Sequence, residues 1–140
     1  METIRKIWKG EEYQIPLQIT KYYLDEHPEF YFVFGDNLIR RGTGGAAVLR
    51  YHPQAIGFIT KKFPDNQDSS FFTPESYKDV FRSEREYLED RIQKNPESLF
   101  LVSKLGSGFA NKYHIYEKII KPWIMKNLIN YKNVVLLIKE

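Results

Sequence analysis

Two glycine-bearing stretches carry the chemistry that can be read from this chain. In Gly42-Thr43-Gly44-Gly45-Ala46-Ala47, which follows an apolar run, small residues let backbone N–H groups approach phosphate oxygens, and the helix start expected just after it turns its positive end to the same anion. A second apolar run leads into Gly106-Ser107-Gly108-Phe109, another backbone nest, with the Ser107 hydroxyl and the Asn111 amide placed to bond a phosphate or a ribose. Arg40, Arg41 and Arg50 flank the first loop and could pair with phosphates through parallel N–H bonds, while Asp36 and Asn37 offer hydrogen bonds to a ribose or an amide. Solvated arginines and a turn-forming Asp-Asn pair explain the same residues equally well. Lys61 reads as a solvated cation, an electrostatic clamp, or an amine nucleophile toward an aldehyde-like sugar carbon. Among the aromatics in or beside loops, one of Phe71, Phe72, Phe109 and Tyr113 could stack on a base or close over a ribose.

Other chemistries lack their residues. Neither Gly-x-x-x-x-Gly-Lys-Ser/Thr nor Gly-x-Gly-x-x-Gly with a following acidic residue occurs, which disfavours a P-loop ATPase and a standard dinucleotide fold. With 0 cysteines and 3 scattered histidines, thiolate chemistry is excluded and no metal or cofactor is expected. A net charge of +3 favours anionic ligands without implying duplex nucleic acid. No apolar run approaches the roughly 18 residues that span a bilayer, so a cytoplasmic monomer without membrane contact is expected.

The elements that must position these residues alternate. Residues 30–34, 55–60, 99–102 and 134–138 are apolar runs of strand length, and near-continuous runs belong to strands buried on both faces. Between them, Thr73 reads as an N-cap with Pro74 at the first helical position and Ser76 where a capping box prefers Glu. Tyr77, Val80, Phe81, Tyr87, Leu88 and Ile92 then follow at helical spacing. Tyr116, Ile119, Ile120, Trp123, Ile124, Leu128 and Ile129 describe a last helix, bent at Pro122. Residues 1–20 read as a charged lead-in and a proline-interrupted edge strand, and Tyr22 to Glu26 as a helical turn ended by His27-Pro28. The expectation is one α/β domain over residues 1–140, with ligands outside the carboxyl ends of a mainly parallel sheet.

The order of a strand, Asp36-Asn37, a Gly-Gly-Ala-Ala loop, Ile59-Thr60-Lys61-Lys62 and Leu105-Gly106-Ser107-Gly108-Phe109 resembles that of macrodomains across residues 30–140. The resemblance implies a three-layer fold, with helices on both faces of the central sheet, that binds ADP-ribose across two loops. Asn37, Gly44, Gly45 and Ala46 would belong to the loop near the distal ribose, and Gly106, Ser107, Gly108 and Phe109 to the loop around the diphosphate. Asp36 and Gly42 join them as candidate ligand contacts. Ile59-Thr60-Lys61-Lys62 is similar to the strand end of the branch that removes ADP-ribose from glutamate, which would make Lys61 the catalytic nucleophile. That branch carries an aspartate two residues beyond the second glycine, where this chain has Ala110. Loss of one general acid or base typically costs about 100-fold to 10,000-fold. The family's amino-terminal Gly-Asp, whose aspartate recognises adenine, has no counterpart in residues 1–29.

The expected function is therefore binding of ADP-ribose or a related nucleotide diphosphate, free or attached to protein or nucleic acid, with hydrolysis of ADP-ribosyl esters through Lys61 as a further step. Two alternatives stand beside it: a non-catalytic module that sequesters or senses a nucleotide, and a nucleic-acid or protein interaction domain.

Overall fold

The computed structural model describes residues 2–139. A four-stranded sheet is built from β3 (Phe30–Asn37), β4 (Ala55–Lys61), β5 (Leu99–Val102) and β6 (Val134–Leu136), all parallel, in the order β4-β3-β5-β6. An antiparallel hairpin of β1 (Thr3–Trp8) and β2 (Glu11–Pro16) precedes it. In β3 and β5 successive residues serve opposite faces: Phe30, Phe32, Phe34, Leu99 and Leu101 enter one core, and Val33, Phe100 and Val102 the other. That two-sided burial is what makes these strands read as continuous apolar runs.

Two connections cover the second of those faces. The long helix α2 (Pro74–Lys94) links β4 to β5, and its Tyr77, Leu88 and Ile92 are buried there. Its start is a capping box in which the shorter Ser76 takes the usual Glu position, donating and accepting with Thr73. Between β5 and β6 the expected single bent helix is three pieces: a π turn (Tyr116–Ile120), α3 (Lys121–Lys126) and a 3-10 turn (Leu128–Asn130). Pro122 has no N–H to give the preceding turn, and the widened turn before it accommodates that loss. Trp123 of α3 stacks on Phe58 of β4 at 5.4 Å and donates its indole N–H to Glu89 at 3.0 Å, tying helix, sheet and α2 together.

The opposite face is covered by the hairpin together with the short helix α1 (Lys21–Glu26), through Ile15, Ile19 and Leu24 with Ile4 and Trp8. A hairpin thus supplies much of the layer for which helices were expected. The charged lead-in is in fact β1, hidden because charged Lys6 is half-buried, its ammonium on the Lys132 carbonyl at 3.0 Å, while apolar Ile7 is exposed. The turn at Lys9 and Gly10, with φ of 50° and 81°, is a hairpin turn whose first residue is not the usual Asn or Asp.

β4 forms one margin of the sheet, and side chains occupy its outward polar groups. Arg40 donates to the Gly57 carbonyl at 3.1 Å, Glu84 accepts the Ile59 N–H at 2.7 Å, and the Tyr77 hydroxyl donates to the Ile59 carbonyl. Among the described residues no helix is long and apolar enough to cross a membrane.

Candidate functional site

Because β3, β4 and β5 run parallel, the segments that follow them emerge on one side and enclose a cleft of about 640 Å³. Asp36, Asn37, Gly42, Gly44 and Gly45 line it from the first loop, Lys61 from the end of β4, and Gly106, Ser107, Gly108 and Phe109 from the second loop. The backbone of Ala46 lies in the adjoining 3-10 turn (Gly45–Leu49). That turn replaces the helix start expected after the first loop, so no α-helix dipole is directed at the cleft there.

The second loop is drawn tightly onto the final helical segment. β5 hands over to it through the Ser103 N–H, which donates to the Val33 carbonyl at 3.0 Å. Gly106, at φ +75°, comes so close to the π turn that a Cβ there would stand 2.5 Å from Ile120 Cδ1. The Ser107 hydroxyl donates to the Lys104 carbonyl at 2.7 Å, closing the turn on itself. Asn111 faces away from this work: its amide donates to Glu117 at 3.0 Å and its oxygen accepts the Tyr116 N–H, so it caps the following turn instead of reaching a ligand.

In the first loop the polar side chains hold the backbone. Asn37 accepts the Ile39 N–H at 3.1 Å and donates to the Arg41 carbonyl at 2.7 Å. The buried Asp36 carboxylate binds Arg50 at 2.6 Å, Arg40 at 3.0 Å and the Asn37 N–H at 2.8 Å. Arg40 and Arg50 therefore serve Asp36 rather than standing free for phosphates, and Asp36 is in turn engaged inside the protein. Burial alone would push the Asp36 carboxyl up, but the hydrogen bonds from Arg50, the Asn37 N–H and Arg40 outweigh it and hold it below the usual carboxylate range.

A depressed folded-state pKa contributes stability that is complete above the unfolded value, about 3.9, and is lost as pH falls through the folded one. Asp36→Asn is accordingly expected to lower the urea midpoint clearly at pH 7. The gap to wild type should narrow as pH falls below about 4. A gap that is constant from pH 7 to pH 3 would contradict this role.

Lys61 is half-buried, with its ammonium 4.8 Å above the Phe71 ring, and Lys112 approaches the same ring at 5.3 Å. Phe71 and Phe72 are core residues and Tyr113 bonds Asp68, which leaves Phe109, 86% exposed at the cleft, as the stacking face of the four aromatics considered. Ala110 is buried at 8% exposure and lines the same loop. Arg41, Lys61 and Lys104 supply positive charge, and among the described lining residues the only carboxylate is the arginine-bound Asp36. Asp65 stands near Lys61, but its carboxylate is held by the Ser70 hydroxyl and the Gln67 N–H.

Thr60, Ser103, Pro64 and Asn66 also line the cleft and carry no pattern that would single them out in sequence. Pro64 and Asn66 belong to the polar loop after β4, which becomes a wall only once β4 lies beside β3.

A model described as "Family of unknown function (DUF7831)" matches residues 15–111, from β2 to the end of the second glycine loop, and so includes the whole cleft lining. No curated protein and no solved structure matches the chain.

Proposed function

The chain belongs to that family of unknown function, whose name brings no activity with it, and from the cleft we propose that it is a macrodomain-like module binding ADP-ribose or a related nucleotide diphosphate. One observation carries the reading: two glycine loops and the cations Arg41, Lys61 and Lys104 meet in a single cleft that holds no free carboxylate among its described lining residues. A diphosphate fits between the loops, where backbone N–H groups and positive charge coincide. The exposed Phe109 ring offers a flat apolar face to a base or ribose. The volume is within the roughly 300 to 1,000 Å³ of small-molecule clefts. In this reading the layers on the two faces of the sheet are those of a three-layer fold.

Gly44 supports it from a different side. Its φ of −79° and ψ of 150° suit any residue, and a Cβ there would have nothing within 4 Å. The chain itself makes no demand for glycine at this position, whereas a ligand approaching the backbone does. Gly44→Val is expected to lower the affinity for ADP-ribose at least about tenfold, as a buried clash of 1.4 kcal/mol or more would, with an unchanged urea midpoint. Titration calorimetry against ADP-ribose reads this directly. The absence of binding heat at millimolar ligand with the unaltered protein would sink the proposal.

Ala110 in the second loop and the engagement of Asp36 by two arginines favour capture of the ligand over its turnover. Hydrolysis through Lys61 is the second reading, favoured by the position of its half-buried amine in the cleft wall.

A further inference from the structure

We infer that Arg50 is a positioning residue that sets the first glycine loop for anion binding through the peptide planes of Arg41 and Gly42. Its side chain is only 7% exposed and its guanidinium lies 5.4 Å over the Phe34 ring, so the head group is fixed within the protein. One edge binds Asp36 at 2.6 Å. From the same planar fork, Nε donates to the Gly42 carbonyl at 2.7 Å and Nη2 to the Arg41 carbonyl at 3.1 Å. Asn37 fixes the Arg41 carbonyl a second time at 2.7 Å.

In a trans peptide the carbonyl and the next residue's N–H point in opposite directions. Drawing the Arg41 and Gly42 carbonyls toward the guanidinium therefore turns the Gly42 and Thr43 N–H groups away from it. Among the described residues neither N–H has a hydrogen-bond acceptor, and Gly42, at φ +97°, lines the cleft. Successive N–H groups displayed in this way form an anion-binding nest. Arg50 never touches the ligand. It transmits the fixed position of Asp36, at the end of β3, to the peptide planes that meet the phosphate. Lysine cannot replace it, because a single ammonium has no fork to hold a carboxylate and two carbonyls together.

The consequence for affinity rests on the ADP-ribose reading; the ordering of the loop does not. Arg50→Lys keeps a cation beside Asp36, so the chain should fold even where Arg50→Ala leaves a buried carboxylate underpaired and fails. Nitrogen-15 relaxation of the ligand-free protein should show order parameters for Gly42, Gly44 and Gly45 falling from about 0.85 to below about 0.6 in Arg50→Lys, with β3 and β5 unchanged. ADP-ribose affinity should fall at least tenfold in the same variant. Order parameters that stay high in the loop, or that fall equally in the sheet, overturn the inference. A loosened loop in Arg50→Lys together with wild type that takes no ADP-ribose supports the positioning role and removes the ligand reading alone.

Discussion

Gly57→Ala is expected to destabilise the protein by about 3 to 5 kcal/mol, the cost of breaking a buried ion pair. Gly57 lies in the middle of β4, where the Asp36 carboxylate and the Arg40 guanidinium cross the strand. A Cβ at Gly57 would stand 2.2 Å from Asp36 Oδ2 and 3.1 Å from Arg40 Nη1. Asp36 is 4% exposed and bound to two arginines, so it cannot swing aside without leaving charge unpaired in the interior. At a urea slope of about 1 to 3 kcal/mol per molar, the midpoint should fall by at least about 1 M. A shift below about 0.5 kcal/mol would show that the pair yields easily and that Asp36 is not held in place by its two arginines.

The second large effect is a gain. On the hydrolase reading, the Lys61 amine attacks the anomeric carbon of the distal ribose, the bond from that carbon to the glutamate carboxylate oxygen breaks, and the carboxylate leaves with the bonding pair. The nitrogen must then lose a proton, and regain it when water adds to the same carbon, the carbon–nitrogen bond breaks and ADP-ribose departs; the described cleft residues include no free carboxylate to carry that proton. Ala110→Asp would place one in the second loop. Release of ADP-ribose from ADP-ribosylated glutamate is expected to rise about 100-fold or more, within the range for a single general acid or base. Adding Lys61→Ala to that variant should return the rate to baseline. If Ala110→Asp binds ADP-ribose yet releases it no faster than wild type, Lys61 is not a nucleophile in waiting.

Much of the layering was legible because two-sided burial leaves little choice of residue. In residues 30–34 and 99–102 every position but one is buried, and an apolar run of that length between turn signals reads as a central parallel strand. The strand nonetheless continues through Gly35 to Asn37, since a glycine beside Thr60 can stay in the ladder, where a Cβ would meet Thr60 Oγ1 at 3.2 Å. Of the hairpin, the alternation around Tyr13 and Ile15 marked the second strand, whereas β1 was illegible for the opposite reason: a half-buried Lys6 and an outward Ile7 invert the period-two pattern on which recognition depends. Both glycine loops could be read from local chemistry. The network behind them could not, because Asp36 and Arg50 lie on either side of the first loop, and Gly57 becomes a neighbour of Asp36 and Arg40 only when β4 pairs with β3. Arginines beside a phosphate-type loop invite assignment to the phosphate, and only the folded geometry shows which carboxylate takes them.

The margin of the sheet at β4 has one more implication, for how this protein keeps company with itself. An uncovered parallel strand is a template on which another chain can add a strand, and that is a route to aggregates and swapped dimers. Here the Gly57 carbonyl and both polar groups of Ile59 are already taken by Arg40, Glu84 and Tyr77. An incoming strand would have to displace a guanidinium, a carboxylate and a phenol before forming its first rungs. The same contacts that carry the Asp36 cluster out to α2 therefore act as a guard rail along the sheet, and loosening them would change the colloidal behaviour of the protein as well as its cleft.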